Sequence, residues 1–174
     1  MVYKEILDTP SVKASKGVFT FYSENTIKAP ASVVYRALRD FQSYPNWNEY
    51  TPTVTTPSGT NDIAVGDTVT LAYRAKTTDK LMDVPCEVSV INDAEYTFCW
   101  IGRAMGIPQW LLFPEKVHKV TPKGENECLF QCYETQAGPM AYIVKWQMGE
   151  LLSQYGQAMN DAFKAYVEKE LNPS

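Results

Sequence analysis

His118 is the single histidine of this 174-residue chain. An imidazole is the side chain whose ordinary titration falls near neutral pH. If residues 111–121 form a strand, His118 shares its face with Val120 and points toward the interior. There it has the chemistry of a general acid or base. The plainer role is a core or wall histidine with one hydrogen bond. Glu134 is the second candidate. Along a strand over 127–136 it shares one face with Cys128, Phe130 and Cys132. That face is apolar, so Glu134 reads as a carboxylate at the end of a buried surface. Burial raises a carboxylate's pKa and suits it to proton transfer. The alternative is an ion pair at the strand's end, with Arg103 or Lys116 as partner.

The four cysteines, Cys86, Cys99, Cys128 and Cys132, contain no CxxC pair. Cys128 and Cys132 on one strand lie about 13 Å apart at ~3.3 Å per residue. Zinc–sulfur bonds of ~2.3 Å cannot bridge that span, so no metal site is expected. Cys132 and His118 on neighbouring strands have the types needed for a thiol–imidazole pair. Free cysteines on apolar strand faces are more often core. No phosphate-cradling glycine loop, serine nucleophile elbow or dinucleotide fingerprint is present, and no cofactor is expected.

Composition sets the frame for these residues. Hydrophobic residues make up 45% and aromatics 13%, with a net charge of −4. The charge argues against nucleic acid or an anionic membrane as the main partner. The first residues carry no basic lead and no long apolar run. No stretch reaches the ~20 apolar residues that span a bilayer, so stable membrane insertion is not expected. The reading is a cytoplasmic protein with free thiols. At this length one domain, 1–174, is expected, large enough to fold without staples.

The elements that must position the candidates follow from periodicity. Residues 16–28 alternate as a strand. Pro30 then opens a helix with Val34, Ala37, Leu38 and Phe41 at helical spacing. Pro45 breaks it. Residues 52–59 are a poorly defined strand or loop. Strands are predicted over 66–76, 84–91, 96–101, 111–121 and 127–136, the last two joined around Pro122-Lys123-Gly124. Gly138-Pro139 opens a long helix to about residue 170. Its apolar stripe is Val144, Met148, Leu151, Tyr155, Met159, Ala162 and Tyr166. This order is an α+β pattern: one antiparallel meander with a helix across it.

Ile27-Lys28-Ala29-Pro30 followed by Asp40-Phe41-Gln42-Ser43-Tyr44-Pro45-Asn46-Trp47-Asn48 resembles the opening of the START-like, or SRPBCC, superfamily. Phe98-Cys99-Trp100, Glu134 four residues before Gly138, and the closing amphipathic helix extend the resemblance over nearly the whole chain. Val117-His118-Lys119 departs from it, since relatives often carry a His-x-Phe pair there. The resemblance implies a helix-grip fold. A curved antiparallel sheet of six to seven strands wraps a long C-terminal helix, with two short helices after the first strand. It also implies a deep apolar cavity that Trp47 and Trp100 help to enclose.

Further candidates for the cavity are Phe98, Phe130, Cys132 and Met148. Asn25, Arg103, Tyr73 and Tyr142 are polar handles, and Trp110 and Phe113 lie in a segment that reads as a lid. The expected function is binding of a hydrophobic or aromatic small molecule (lipid, quinone or polyketide-like) as a carrier. The second reading is a cofactor-independent cyclase or isomerase of a natural-product pathway, with His118 or Glu134 as general acid or base. A protein-interaction module is the third class, and the aromatic content argues against it.

Overall fold

A computed structural model describes residues 5–74, 80–103 and 106–171. Seven strands form one antiparallel sheet: β1 (Gly17–Ile27), β2 (Thr53–Thr55), β3 (Thr68–Arg74), β4 (Leu81–Asn92), β5 (Thr97–Gly102), β6 (Phe113–Gly124) and β7 (Glu127–Ala137). Their spatial order is β1-β7-β6-β5-β4-β3-β2. The last six strands are therefore a plain meander, and β1 closes it by pairing with β7. Between β1 and β2 stand α1 (Ala31–Arg39) and a 3-10 turn, Phe41–Asn46. The long helix α2 (Ala141–Tyr166) continues into a π turn, Val167–Leu171. The end of the strand expected to reach Lys76, Met105 in the Gly/Pro interruption, and the stop at Asn172-Pro173 lie outside the described residues.

Local sequence explains the boundaries. Pro30 sits just before α1, and its carbonyl accepts the amides of Val33 and Val34 at 2.9 and 3.2 Å. Val34, Ala37, Leu38 and Phe41 are buried, as their spacing required. The β6–β7 hairpin differs from expectation. Its turn is Glu125-Asn126, because Gly124 pairs with Glu127 after a bulge at Pro122. Pairing of β6 with β5 ends at Lys119, so Pro122 has no ladder on that side to break. Gly138 has φ +92°, and a Cβ there would sit 2.6 Å from the Leu111 carbonyl oxygen. Only glycine fits, and the close approach ties the start of α2 to the segment before β6. The Met140 amide completes the tie, donating to Leu111 at 2.9 Å.

The helix face is rotated from the predicted stripe. Ala141, Gly149, Ser153, Tyr155, Gly156, Asn160, Phe163 and Val167 are buried. Met148 is 41% exposed, and Val144, Leu151, Met159, Ala162 and Tyr166 are half-buried. The helix comes close to β1 at Gly156. At Gly156 a Cβ would lie 3.6 Å from the Phe21 ring and 3.8 Å from Ser23 Oγ. The buried face includes Gly149, Ser153, Gly156 and Asn160, small or polar residues that a hydrophobicity pattern does not score as core.

On the face of the sheet away from α2, Glu115 is fully buried. It accepts hydrogen bonds from Thr9 Oγ1 (2.6 Å), the Ser11 amide (2.7 Å), Ser11 Oγ (3.0 Å) and Ser89 Oγ (2.8 Å). Four donors satisfy a carboxylate that would otherwise be costly to bury. They fasten the segment ahead of β1 across the outer face.

Candidate functional site

A cavity of about 210 Å³ lies between the sheet and α2. The register of the central strands builds its charged wall. Lys116 pairs with Glu134, His118 with Cys132, and Val120 with Phe130 across β6 and β7. Alternation puts each of these pairs on the face toward α2. Trp100 from β5, Cys86 and Val84 from β4, and Leu71 and Tyr73 from β3 extend the same surface. Trp47, Asn48 and Thr51 close one side, beyond the 3-10 turn that Pro45 shapes. Leu152, Tyr155, Gly156, Met159, Asn160 and Phe163 of α2 form the opposite wall.

Of the residues singled out in the sequence, Trp47, Tyr73, Trp100, His118, Phe130, Cys132 and Glu134 meet at this cavity. Seven others lie off it. Asn25 faces the far half of α2 and donates its amide to Asp161 at 2.9 Å. Phe98 is fully buried beside the cavity residues rather than lining it, its ring centroid 5.1 Å from that of Trp100. Arg103 is paired with Glu87 at the sheet's rim. Trp110 is 74% exposed, because the tie at Leu111 turns its ring to solvent rather than over the cavity as a lid. Phe113 is half-buried beside that loop. Tyr142 is 67% exposed and Met148 also projects outward, since the small-residue face of α2 is the one turned inward.

His118 is buried among aromatic rings, stacked on Phe98 and Phe130 and edge-on to Trp100. Its Nδ1 is 3.3 Å from the Phe98 carbonyl oxygen. A carbonyl only accepts, so Nδ1 carries the proton and Nε2 the lone pair. Burial, reinforced by Lys116, pulls the imidazole down to about 3. The expected titration near neutrality is therefore corrected: His118 is a neutral ring at physiological pH.

Lys116 is the residue the sequence reading placed only as a possible ion-pair partner. Its Nζ lies 3.5 Å from Glu134 Oε2, and both side chains are largely buried. The signal was its parity with His118 two residues on. Burial opposes the ammonium and the Glu134 carboxylate favours it by charge and hydrogen bond; on balance its pKa is raised. Nζ also lies 5.4 Å from the centroid of the Phe21 ring, within cation–π range. Gln136 donates to the other carboxylate oxygen of Glu134 at 2.9 Å. Burial lifts Cys86 to about 12 and Cys132 to about 11, so both are thiols rather than thiolates. Burial likewise raises the Tyr73 phenol, helped by Tyr155, Glu134 and Tyr50.

The cavity also holds unpartnered donors, of which the sequence pointed to Tyr73 as a polar handle and Trp47 as a wall but not to Asn48 or Asn160. Trp47 Nε1, Asn48 Nδ2, Asn160 Nδ2 and the Tyr73 hydroxyl are buried with no hydrogen-bond partner among the described residues. Each such donor costs about 1–3 kcal/mol in a folded protein. Among the described residues no group of three or more His, Cys, Asp or Glu side chains could hold a metal ion. None of their helices is long and apolar enough to cross a membrane.

The curved sheet gripping a long helix defines the SRPBCC, helix-grip class. Within it the chain belongs to the polyketide cyclase / dehydrase and lipid transport family, whose model matches residues 18–168. It is 30% identical over 187 aligned positions to the oxopyrrolidines biosynthesis cluster protein O of Penicillium oxalicum, covering 93% of each chain. Two solved structures share the fold at low identity. The ZhuI aromatase/cyclase of Streptomyces sp. R1128 superposes with a TM-score of 0.69 at 10% identity, over 88% of this chain and 96% of that one. Norcoclaurine synthase of Thalictrum flavum, in complex with dopamine and hydroxybenzaldehyde, gives 0.61 at 14% identity, over 87% of both chains.

Proposed function

We propose that this protein binds a mostly apolar small molecule of a natural-product pathway, in a cytoplasmic setting, and holds it between the sheet and α2. The observation that carries the reading is an apolar-walled cavity of about 210 Å³ with a few convergent polar groups. Membership of the family supports it, as does likeness to a protein of a fungal biosynthetic cluster. Isothermal calorimetry and thermal melts with a panel of aromatic ketones, quinones and fatty acids test it. Saturable binding with a rise in Tm is expected. No heat and no shift across the panel rejects it.

The Lys116–Glu134 pair favours a second reading, a cofactor-independent cyclase or isomerase. A charge pair inside an apolar cavity is expensive to desolvate. It offers an acid and a base on one ligand. For an enzyme, Glu134→Gln and Lys116→Met lower turnover of the cognate substrate about 10²- to 10⁴-fold. For a carrier the same changes alter affinity alone. His118 is neutral in the folded protein near neutral pH, so His118→Gln changes packing around the ligand and removes no proton donor or acceptor that titrates there.

A further inference from the structure

From the unpartnered donors of the cavity we infer that its ligand is a neutral carbonyl compound, held through carbonyl oxygen by Trp47, Asn48 and Asn160. The inference rests on the binding reading above and narrows it to a chemical class.

Trp47 and Asn48 are consecutive and both line the cavity. The Trp47 ring lies 4.9 Å, centroid to centroid, from Phe163, and Asn160 sits three residues before Phe163 on the same buried face of α2. The three side chains therefore line one cavity, two from the post-turn segment and one from the helix beside Phe163. Asn48 is 2% exposed and Asn160 1%. The orientation of Asn48 is fixed, because its carbonyl oxygen accepts the Thr51 amide at 2.8 Å. Its NH2 group is left for another partner. An indole N–H and amide NH2 groups only donate. Their complement is an acceptor oxygen, which a hydrocarbon chain or an ammonium group does not supply.

Charge decides among acceptors. These donors are neutral, and the one ammonium among the described residues that line the cavity, Lys116, is already opposed by Glu134. A carboxylate would bring a second negative charge into the cavity with no cation left to balance it. A ketone, enone or diketone carries the oxygen without the charge.

Three compounds on one skeleton test this: butyrophenone, n-butylbenzene and 4-phenylbutanoate. Affinities are measured by equilibrium dialysis for the wild-type protein and for the Trp47→Phe/Asn160→Leu variant. The expected result is that the wild type binds butyrophenone about tenfold or more tighter than n-butylbenzene, roughly the yield of one satisfied buried donor. The carboxylate is expected to bind no tighter than the hydrocarbon. In the variant the ketone preference falls toward unity. Damage to packing alone weakens both compounds together and leaves their ratio standing, which would overturn the inference. If the double variant fails to fold by circular dichroism, Trp47→Phe alone carries the test and should lose part of the preference. Equal binding of ketone and hydrocarbon by the wild type overturns the donor cradle while the cavity reading survives. Tightest binding of 4-phenylbutanoate overturns the neutral class. No binding of any compound overturns both.

Discussion

At the scale of single residues, the charge pair and the histidine behave differently from their ordinary counterparts. Removing one partner of the largely buried Lys116–Glu134 pair leaves the other uncompensated. Lys116→Met should therefore cost on the order of 2–4 kcal/mol, and Lys116→Met/Glu134→Leu less than the sum of the single changes. Urea melts of the three variants check this; strict additivity would mean the two groups do not interact. His118 titrates at about 3 when folded and near 6.5 when unfolded. Between those values the unfolded chain binds the extra proton, so stability rises with pH across the window and is complete above it. It is lost again as pH falls toward 3. His118→Gln should flatten that limb by up to about 1.4 kcal/mol per pH unit relative to the wild type. Parallel pH slopes for the two proteins would contradict the burial of the ring. Parity alone brought His118, Cys132 and Glu134 to one face in the sequence. It did not show that Phe98 supplies a carbonyl to His118, because that comes from β5, about twenty residues earlier in the chain; the Trp100 wall was legible only through the family resemblance.

At the scale of elements, α2 shows what a hydrophobic pattern reads and what it misses. Its length, its start after Gly138-Pro139 and its place across the sheet were legible, since apolar and polar residues alternate at helical spacing. Its rotation was not. The buried residues include Gly149, Ser153 and Gly156, which a hydrophobic pattern passes over, while Tyr142, Trp146 and Met148 stand outward. The same misreading put Met148 among the expected ligand contacts, and Tyr142, expected as a polar handle, stands outward as well. Two glycines separate the effects of room and conformation. At Gly156 a Cβ meets only ordinary contacts, so Gly156→Ala should raise stability by about 0.5–1 kcal/mol through helix propensity. At Gly138 both φ +92° and the 2.6 Å approach to Leu111 forbid a side chain. Gly138→Ala should cost more than about 1 kcal/mol and lower Tm by several degrees. Differential scanning calorimetry of both variants would show opposite signs; a shared sign would mean the helix does not approach β1 and Leu111 as described.

At the scale of the whole molecule, the meander and the closing helix were legible because neighbouring strands in space are neighbours in sequence from β2 to β7. The cover on the outer face was not. Glu115 binds Thr9 and Ser11 across separations of 106 and 104 residues, and no local pattern records such a contact. Glu115→Leu should release the segment ahead of β1 and cost at least about 2 kcal/mol, since several hydrogen bonds to a charged group are lost at once. Trypsin should then cut after Lys13 and Lys16 while the sheet remains folded. An unchanged digest would show that the cover is held by something other than this carboxylate.

The four tryptophans divide into two optical populations. Trp47 and Trp100 line the cavity, whereas Trp110 and Trp146 are 74% and 83% exposed. Iodide in solution should quench the outer pair and spare most of the inner pair, whose emission lies further to the blue. Trp110→Phe/Trp146→Phe removes only surface rings, so it should leave folding intact and strip away the red-shifted background. What remains is a chain whose fluorescence comes from two indoles at the walls of the binding cavity. Occupancy could then be followed by light, without a label and before the natural ligand is known.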